Sequence, residues 1–198
     1  MTTVTEFKIP PLADVIAGTS NNTSQANDDG TSKPKLKFTA TNADDAIANI
    51  TAPVYLINEV LEVDAHGIIC GESMSLKTFV TIAMVHSICT GADFMGHKVY
   101  TTGKVLVVTG EGKNGFNRRL SAKAIDSECN FKGNLIHLDN RMSLKDKSHL
   151  EALRELIEFH KVVLVVFDTF SSLSGGVNEN DNSEVANVMQ SIQTTCKT

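Results

Sequence analysis

The sequence has no excess of positive charge and no clustered cysteines. Its net charge of −5 over 198 residues lacks the basic signature of a nucleic-acid-binding domain, although an assembled ring can still expose a local basic channel. The four cysteines stand far apart, with no Cys-x-x-Cys pair and no histidine at a zinc-site spacing. We therefore expect reduced thiols and no zinc site.

The sequence also lacks a recognisable targeting or membrane segment. The start, MTTVTEFKIPPLADVIAG, has no basic residues followed by an apolar run, as a signal peptide would. No stretch approaches the roughly 18 apolar residues that a membrane span needs. We therefore expect a cytoplasmic protein with no membrane contact.

Composition divides the chain into three parts. Residues 1–17 form a short N-terminal segment with a small apolar patch. Residues 18–36 are poor in apolar side chains and rich in Ser, Thr, Asn and Asp, so they bury too little surface to offset their ordering entropy and are predicted to be a flexible linker. Residues 37–198 are predicted to be one domain.

Within that domain, short apolar runs alternate with helical patterns. The predicted strands are 66–70, 105–109, 135–138 and 162–167, and the predicted helices are a short one capped by Asn42 or Asp44 and longer ones at 78–89, 115–129, 150–157 and 183–196. Uninterrupted apolar strands between helices predict an α/β fold, a parallel sheet covered by helices on both faces. Ligands of such sheets bind at the carboxyl ends of the strands.

The first predicted strand, HGIIC, is followed by Gly71-Glu-Ser-Met-Ser-Leu-Lys77-Thr78. The phosphate loop has the pattern G-x-x-x-x-G-K-[ST] between a strand and a helix. The first glycine, the lysine and the threonine match, whereas Leu76 occupies the place of the second glycine. A leucine fits there if the backbone is right-handed helical and the side chain turns outward. The phosphate-loop pattern without its second glycine also occurs by chance in unrelated sequences.

Acidic residues follow two later strands. Glu111 stands between two glycines directly after VLVVT, where a carboxylate can orient or deprotonate a water molecule. Asp168 follows VVLVVF, as in a Walker B motif, where the carboxylate holds magnesium. Each alone is equally compatible with an ordinary turn. The three features in this order predict a nucleotide site.

These segments resemble the RecA-like P-loop ATPase family that includes the RepA-type hexameric replicative helicases of plasmids and phages. The resemblance covers about residues 56–198 and rests on three segments, GESMSLKTF, VLVVTGEGKNGFNRRL and VVLVVFDTFSSLSGGVNENDN. It implies an ATP- and Mg²⁺-dependent enzyme that forms a homo-oligomeric ring and acts on single-stranded DNA in replication.

The resemblance also implies roles for individual residues. Lys77 would contact the phosphates, Thr78 and Asp168 would hold magnesium, and Glu111 would activate water, so that Glu111 and Lys77 are the catalytic candidates. The nucleotide-binding candidates are the loop residues Gly71, Glu72, Ser73, Met74, Ser75, Leu76, Lys77, Thr78 and Phe79. Arg118 and Arg119 are expected to lie on a solvated helix face, and the loop hydroxyls of Thr169, Ser171 and Ser172 are expected to be unspecialised.

Family members continue beyond the last helix into a strand with a sensor histidine and on to an arginine finger. This sequence stops at Thr198, before those elements. The expectation is therefore an incomplete sheet and a polypeptide with little turnover. The alternative function is a nucleotide-binding interaction module without ATP turnover. A metabolic P-loop kinase is disfavoured by the absence of a lid segment and by the GEG and FDT strand ends.

Overall fold

The computed structural model describes residues 42–110, 113–139, 142–177 and 181–197. The segments 1–17 and 18–36 lie outside the described residues. The chain divides into two compact units, residues 1–50 and 51–198. In the first, helix α1 (Ala43–Ala48) is capped by Asn42, whose side chain accepts a hydrogen bond from the Asp44 backbone N–H. This confirms the predicted cap.

The second unit contains the mixed α/β core. Its elements in chain order are β1 (Tyr55–Ile57), β2 (Leu61–Glu62), α2 (Lys77–Thr90), β3 (Lys104–Thr109), α3 (Lys113–Asp126), β4 (Leu135–Leu138), α4 (Lys147–His160), β5 (Val162–Asp168), α5 (Phe170–Leu173) and α6 (Asn182–Cys196). Apart from 66–70, each predicted long helix and strand is present, with ends that move by only a few residues.

The sheet consists of three parallel strands in the order β4-β3-β5. The central strand β3 is buried from Val105 to Thr109, because it is paired on both edges and covered on both faces. Such a strand excludes water from both faces, which explains its continuous apolar sequence. The parallel register brings the carboxyl ends of the three strands to one edge.

Helices cover both faces of this sheet, as predicted. On one face, α2 and α3 pack on β3 through a buried cluster that includes Ile82, Val85, Ile88, Val105, Val107 and Phe116. On the other face, α4 and α6 pack through Leu106, Val108, Leu153, Ile157 and Val188. Ile125, near the end of α3, is exposed. Within the described part of the chain, no helix is long and apolar enough to cross a membrane.

The predicted strand 66–70 is not a strand. Residues 66–70 form no sheet pairing, and Ile68, Ile69 and Cys70 are exposed. A strand requires a neighbouring backbone for its hydrogen bonds, and no described residues pair with this segment. The apolar residues before it instead form the antiparallel hairpin β1-β2. The apolar composition of segment 66–70 alone therefore predicted the wrong structure.

Candidate functional site

The loop 71–76 connects the unpaired segment to the first turn of α2. Gly71 is closely approached by its own loop: a Cβ there would lie 2.6 Å from the Ser75 Oγ. The Ser75 N–H donates to the Glu72 carbonyl at 3.3 Å, and α2 then begins at Lys77. The free N–H groups of a helix N-terminus favour an anion such as phosphate. The loop therefore has the curled form and the helix entry of a phosphate loop.

Leu76 adopts the left-handed conformation that a glycine would occupy there. Its φ is 63° and its ψ is 17°, so the expectation of a right-handed backbone was wrong. Its carbonyl accepts from the Phe79 and Val80 N–H groups at 2.9 and 3.1 Å, which fixes the turn into the helix whatever residue is present. The side chain does point outward, with 63% of its surface exposed. A left-handed backbone is the conformation that glycine adopts without cost, and a leucine is strained within it.

We expect Leu76→Gly to be more stable than Leu76→Ala by about 1 kcal/mol, because only glycine adopts the left-handed conformation without steric cost. Urea unfolding of the two variants measures the difference. The matched control is Ala122→Gly on the exposed face of α3, where glycine should cost about 1 kcal/mol. Equal stability of the two Leu76 variants would contradict the left-handed assignment.

The ammonium group of Lys77 lies over the loop that precedes it. Its Nζ donates to the carbonyl oxygens of Gly71 and Glu72 at 2.7 and 2.6 Å and reaches the Ser75 Oγ at 3.5 Å. These contacts hold a positive charge inside the curve of the loop. A bound phosphate would meet that charge and the helix N-terminus together.

Asp168 ends β5 at the opposite wall of the same cleft. The cleft has a volume of about 510 Å³ and is lined by Ser73, Met74, Ser75, Leu76, Lys77, Thr78, Phe79, Phe116, Arg119, Asp168 and Thr169. Of the predicted site residues, the structure therefore brings Ser73 to Phe79 together with Asp168. Gly71 and Glu72 contribute through their carbonyl groups.

The Thr78 hydroxyl and the Asp168 carboxylate fit a magnesium ion. Both are hard oxygen donors, and Mg²⁺ in nucleotide sites takes one or two protein oxygens together with phosphate oxygens and water. Among the described residues, no cluster of three or more His, Cys, Asp or Glu side chains offers an all-protein metal site. The donor set suits a metal that arrives with the nucleotide.

Glu111 lies outside the described residues, so its position is still a prediction from the sequence. The residues just before it are described. The Gly110 N–H donates to the Asp168 carbonyl at 3.0 Å, and a Cβ on Gly110 would lie 2.0 Å from the Ser172 Oγ. Only glycine fits this close approach between the end of β3 and α5. Gly110, the last described residue before Glu111, therefore lies beside the strand end that carries Asp168.

Sequence reasoning missed the contribution of α3. Arg119 is exposed, as expected for a solvated helix face, but it also lines the cleft, with its guanidinium carbon 5.8 Å from the Phe79 ring centroid. Phe116, three residues earlier on the same helix face, also lines the cleft. The spacing of Arg119 from an inward-facing Phe116 was the available signal. Thr169, expected to be an ordinary loop hydroxyl, caps α5 and lines the cleft.

Comparison with known proteins gives one family. Residues 32–198 match the family described as AAA domain. A search of curated proteins and a search of solved structures each gave no match. The match covers most of the chain, including the loop, the cleft and all strands of the parallel sheet. The chain therefore belongs to the AAA-domain family, and this membership indicates nucleotide binding and ATPase activity.

Proposed function

We propose that this chain binds ATP as its magnesium complex in the cleft between loop 71–76 and the end of β5, and hydrolyses it. The observation that carries the proposal is the placement of Lys77, Thr78 and Asp168 around one cleft. These residues supply an ammonium group, a hydroxyl and a carboxylate, which are the groups that a phosphate chain with magnesium requires. Lys77 and Thr78 are consecutive, and Asp168 comes from a distant part of the sequence.

Each residue has a distinct part in this proposal. Lys77 and the first N–H groups of α2 bind phosphate oxygens. Thr78 and Asp168 would hold a magnesium ion, which would supply positive charge to offset the charge of the phosphates. Arg119 adds a second positive charge at the same cleft. Glu111 orients the attacking water.

We further propose that the chain is a DNA-dependent ATPase of the RepA-type helicase class. It would assemble as a homo-oligomeric ring on single-stranded DNA. This proposal is supported by the sequence resemblance. The alternative is a module that binds nucleotide without turnover. Phosphate release, measured with and without single-stranded DNA, separates the two: stimulation by DNA supports the motor, and tight Mg-ATP binding with no release at all supports the module.

We expect Asp168→Asn to weaken binding of Mg-ATP while leaving binding of metal-free ATP nearly unchanged, because the carboxylate acts on the nucleotide through the metal. Titration calorimetry with magnesium and with EDTA measures both affinities. The control is Asp126→Asn on α3, whose carboxylate pairs with Lys123 at 3.2 Å and does not line the cleft. An equal loss of both affinities for Asp168→Asn would contradict the magnesium role.

A further inference from the structure

A buried hydrogen bond lies next to Asp168 at the end of the sheet. Thr109, the last residue of β3, is only 5% exposed, and its Oγ1 is 2.8 Å from the His137 Nε2 on β4. On its other edge, Thr109 is in register with Asp168 of β5. His137 itself is in register with Val107, so the contact runs diagonally from β4 to the end of β3.

The contact between Thr109 and His137 lies on the face of the sheet that α2 and α3 cover. Side chains alternate along a strand, so Thr109 shares its face with Val105 and Val107, which pack in the cluster with α2 and α3. The His137 ring contacts Phe116 of α3, with centroids 4.9 Å apart. Since Phe116 also lines the cleft, the imidazole lies directly behind the cleft wall.

We propose that His137 is a positioning residue for the ATPase reaction, which holds the Thr109 hydroxyl and so fixes the end of β3 from which the chain continues to Glu111. The inference rests on the proposed role of Glu111. Loop residues Lys77 and Thr78 are carried by α2, and Asp168 is carried by β5. Removal of the His137 contact therefore changes the placement of the water-activating group more than the affinity for nucleotide.

The contact also restrains the strand end from a second direction. The Gly110 N–H is held by the Asp168 carbonyl at 3.0 Å, which ties the chain to β5. The contact between Thr109 and His137 ties the preceding residue to β4. A buried hydroxyl left without a hydrogen-bond partner is destabilised, which favours a shift of the strand end toward another partner. Here that shift occurs two residues before Glu111.

The test separates the hydrolysis rate from the affinity for Mg-ATP. His137→Ala and the near-isosteric Thr109→Val are expected to lower the single-turnover rate about 10- to 100-fold, in line with the effect of a misplacement of about 1 Å. Their Mg-ATP dissociation constants, from calorimetry, are expected to stay near the wild-type value. His137→Gln, whose amide can donate or accept at the same reach, is expected to restore most of the rate.

The double variant His137→Ala/Thr109→Val is expected to be no slower than the slower single variant, because both changes remove one contact. His86→Ala is the matched control: the His86 ring also contacts a hydroxyl, the Ser127 Oγ at 3.1 Å, but neither of these residues lies on the sheet. Its rate is expected to stay near wild type.

Several outcomes overturn the inference. They are a wild-type rate in both His137→Ala and Thr109→Val, additive losses in the double variant, or a dissociation constant that rises in step with the rate loss. Wild-type protein that binds no Mg-ATP contradicts the proposed function itself. Wild-type protein that binds Mg-ATP but hydrolyses it no faster than Glu111→Gln removes the reaction that His137 serves, and so overturns the inference while nucleotide binding stands.

Discussion

Lys77→Ala is expected to weaken Mg-ATP binding about 30- to 150-fold. The ammonium group makes a charge-assisted contact to phosphate worth about 2–3 kcal/mol, at 1.4 kcal/mol for each factor of ten. In the structure its Nζ already lies inside the curve of the loop, 2.7 Å from the Gly71 carbonyl and 2.6 Å from that of Glu72. Titration calorimetry of both proteins measures the loss.

The matched control for that change is Lys147→Ala. Lys147 is the first residue of α4, as Lys77 is the first residue of α2, and it is exposed. This control removes the same charge from the same helix position, but the residue lies away from the cleft. Because long-range attraction between exposed charges is screened by salt, the control should bind Mg-ATP nearly as wild type does. Equal affinity for the wild type and Lys77→Ala would contradict the phosphate-loop assignment.

Glu111→Gln is expected to lower ATP hydrolysis about 10²- to 10⁴-fold, the usual contribution of a general base. Glutamine keeps the size of the side chain but does not take up a proton. Mg-ATP affinity should be unchanged, since Lys77, Thr78 and Asp168 remain in place around the cleft. Single-turnover phosphate release and calorimetry together measure the two effects.

Glu151→Gln on the exposed face of α4 is the control for that change and should leave both values unchanged. A loss of binding in Glu111→Gln would place the glutamate in contact with the nucleotide instead of with water. An unchanged rate would show that another group activates the water. A loss of binding and an unchanged hydrolysis rate are measured separately, so the experiment distinguishes these two explanations.

The strands of the sheet could be predicted because each is a largely apolar run in the sequence. β3 and β5 are continuous apolar runs of the kind that only a strand buried on both faces requires. The segment 66–70 carries the same signal but is unpaired, because pairing depends on a neighbouring strand and not on the segment itself. Composition alone does not contain that information.

The site was predictable in its chemistry but not in its conformation. Lys77, Thr78 and Asp168 were identified from their positions after strands and before a helix, and the structure brings them to one cleft. The left-handed backbone at Leu76 was missed, because residue type suggested a right-handed one. Arg119 is exposed, as is usual for a charged side chain on a helix, but its place at the cleft was missed because it depends on how α3 packs.

The exposed apolar side chains at the edge of the cleft, which we call the apolar lip, have a consequence for selective inhibition. Met74 and Leu76 both hold left-handed backbones, with side chains 95% and 63% exposed, and Phe79 is half exposed beside them. A compound that competes with ATP and carries an apolar group toward this lip would bury these side chains, at roughly 25 cal/mol for each Å² removed from water. A loop with glycine at position 76 would offer it less surface. Selectivity among phosphate-loop enzymes would then follow from the residue at which this chain departs from the common pattern.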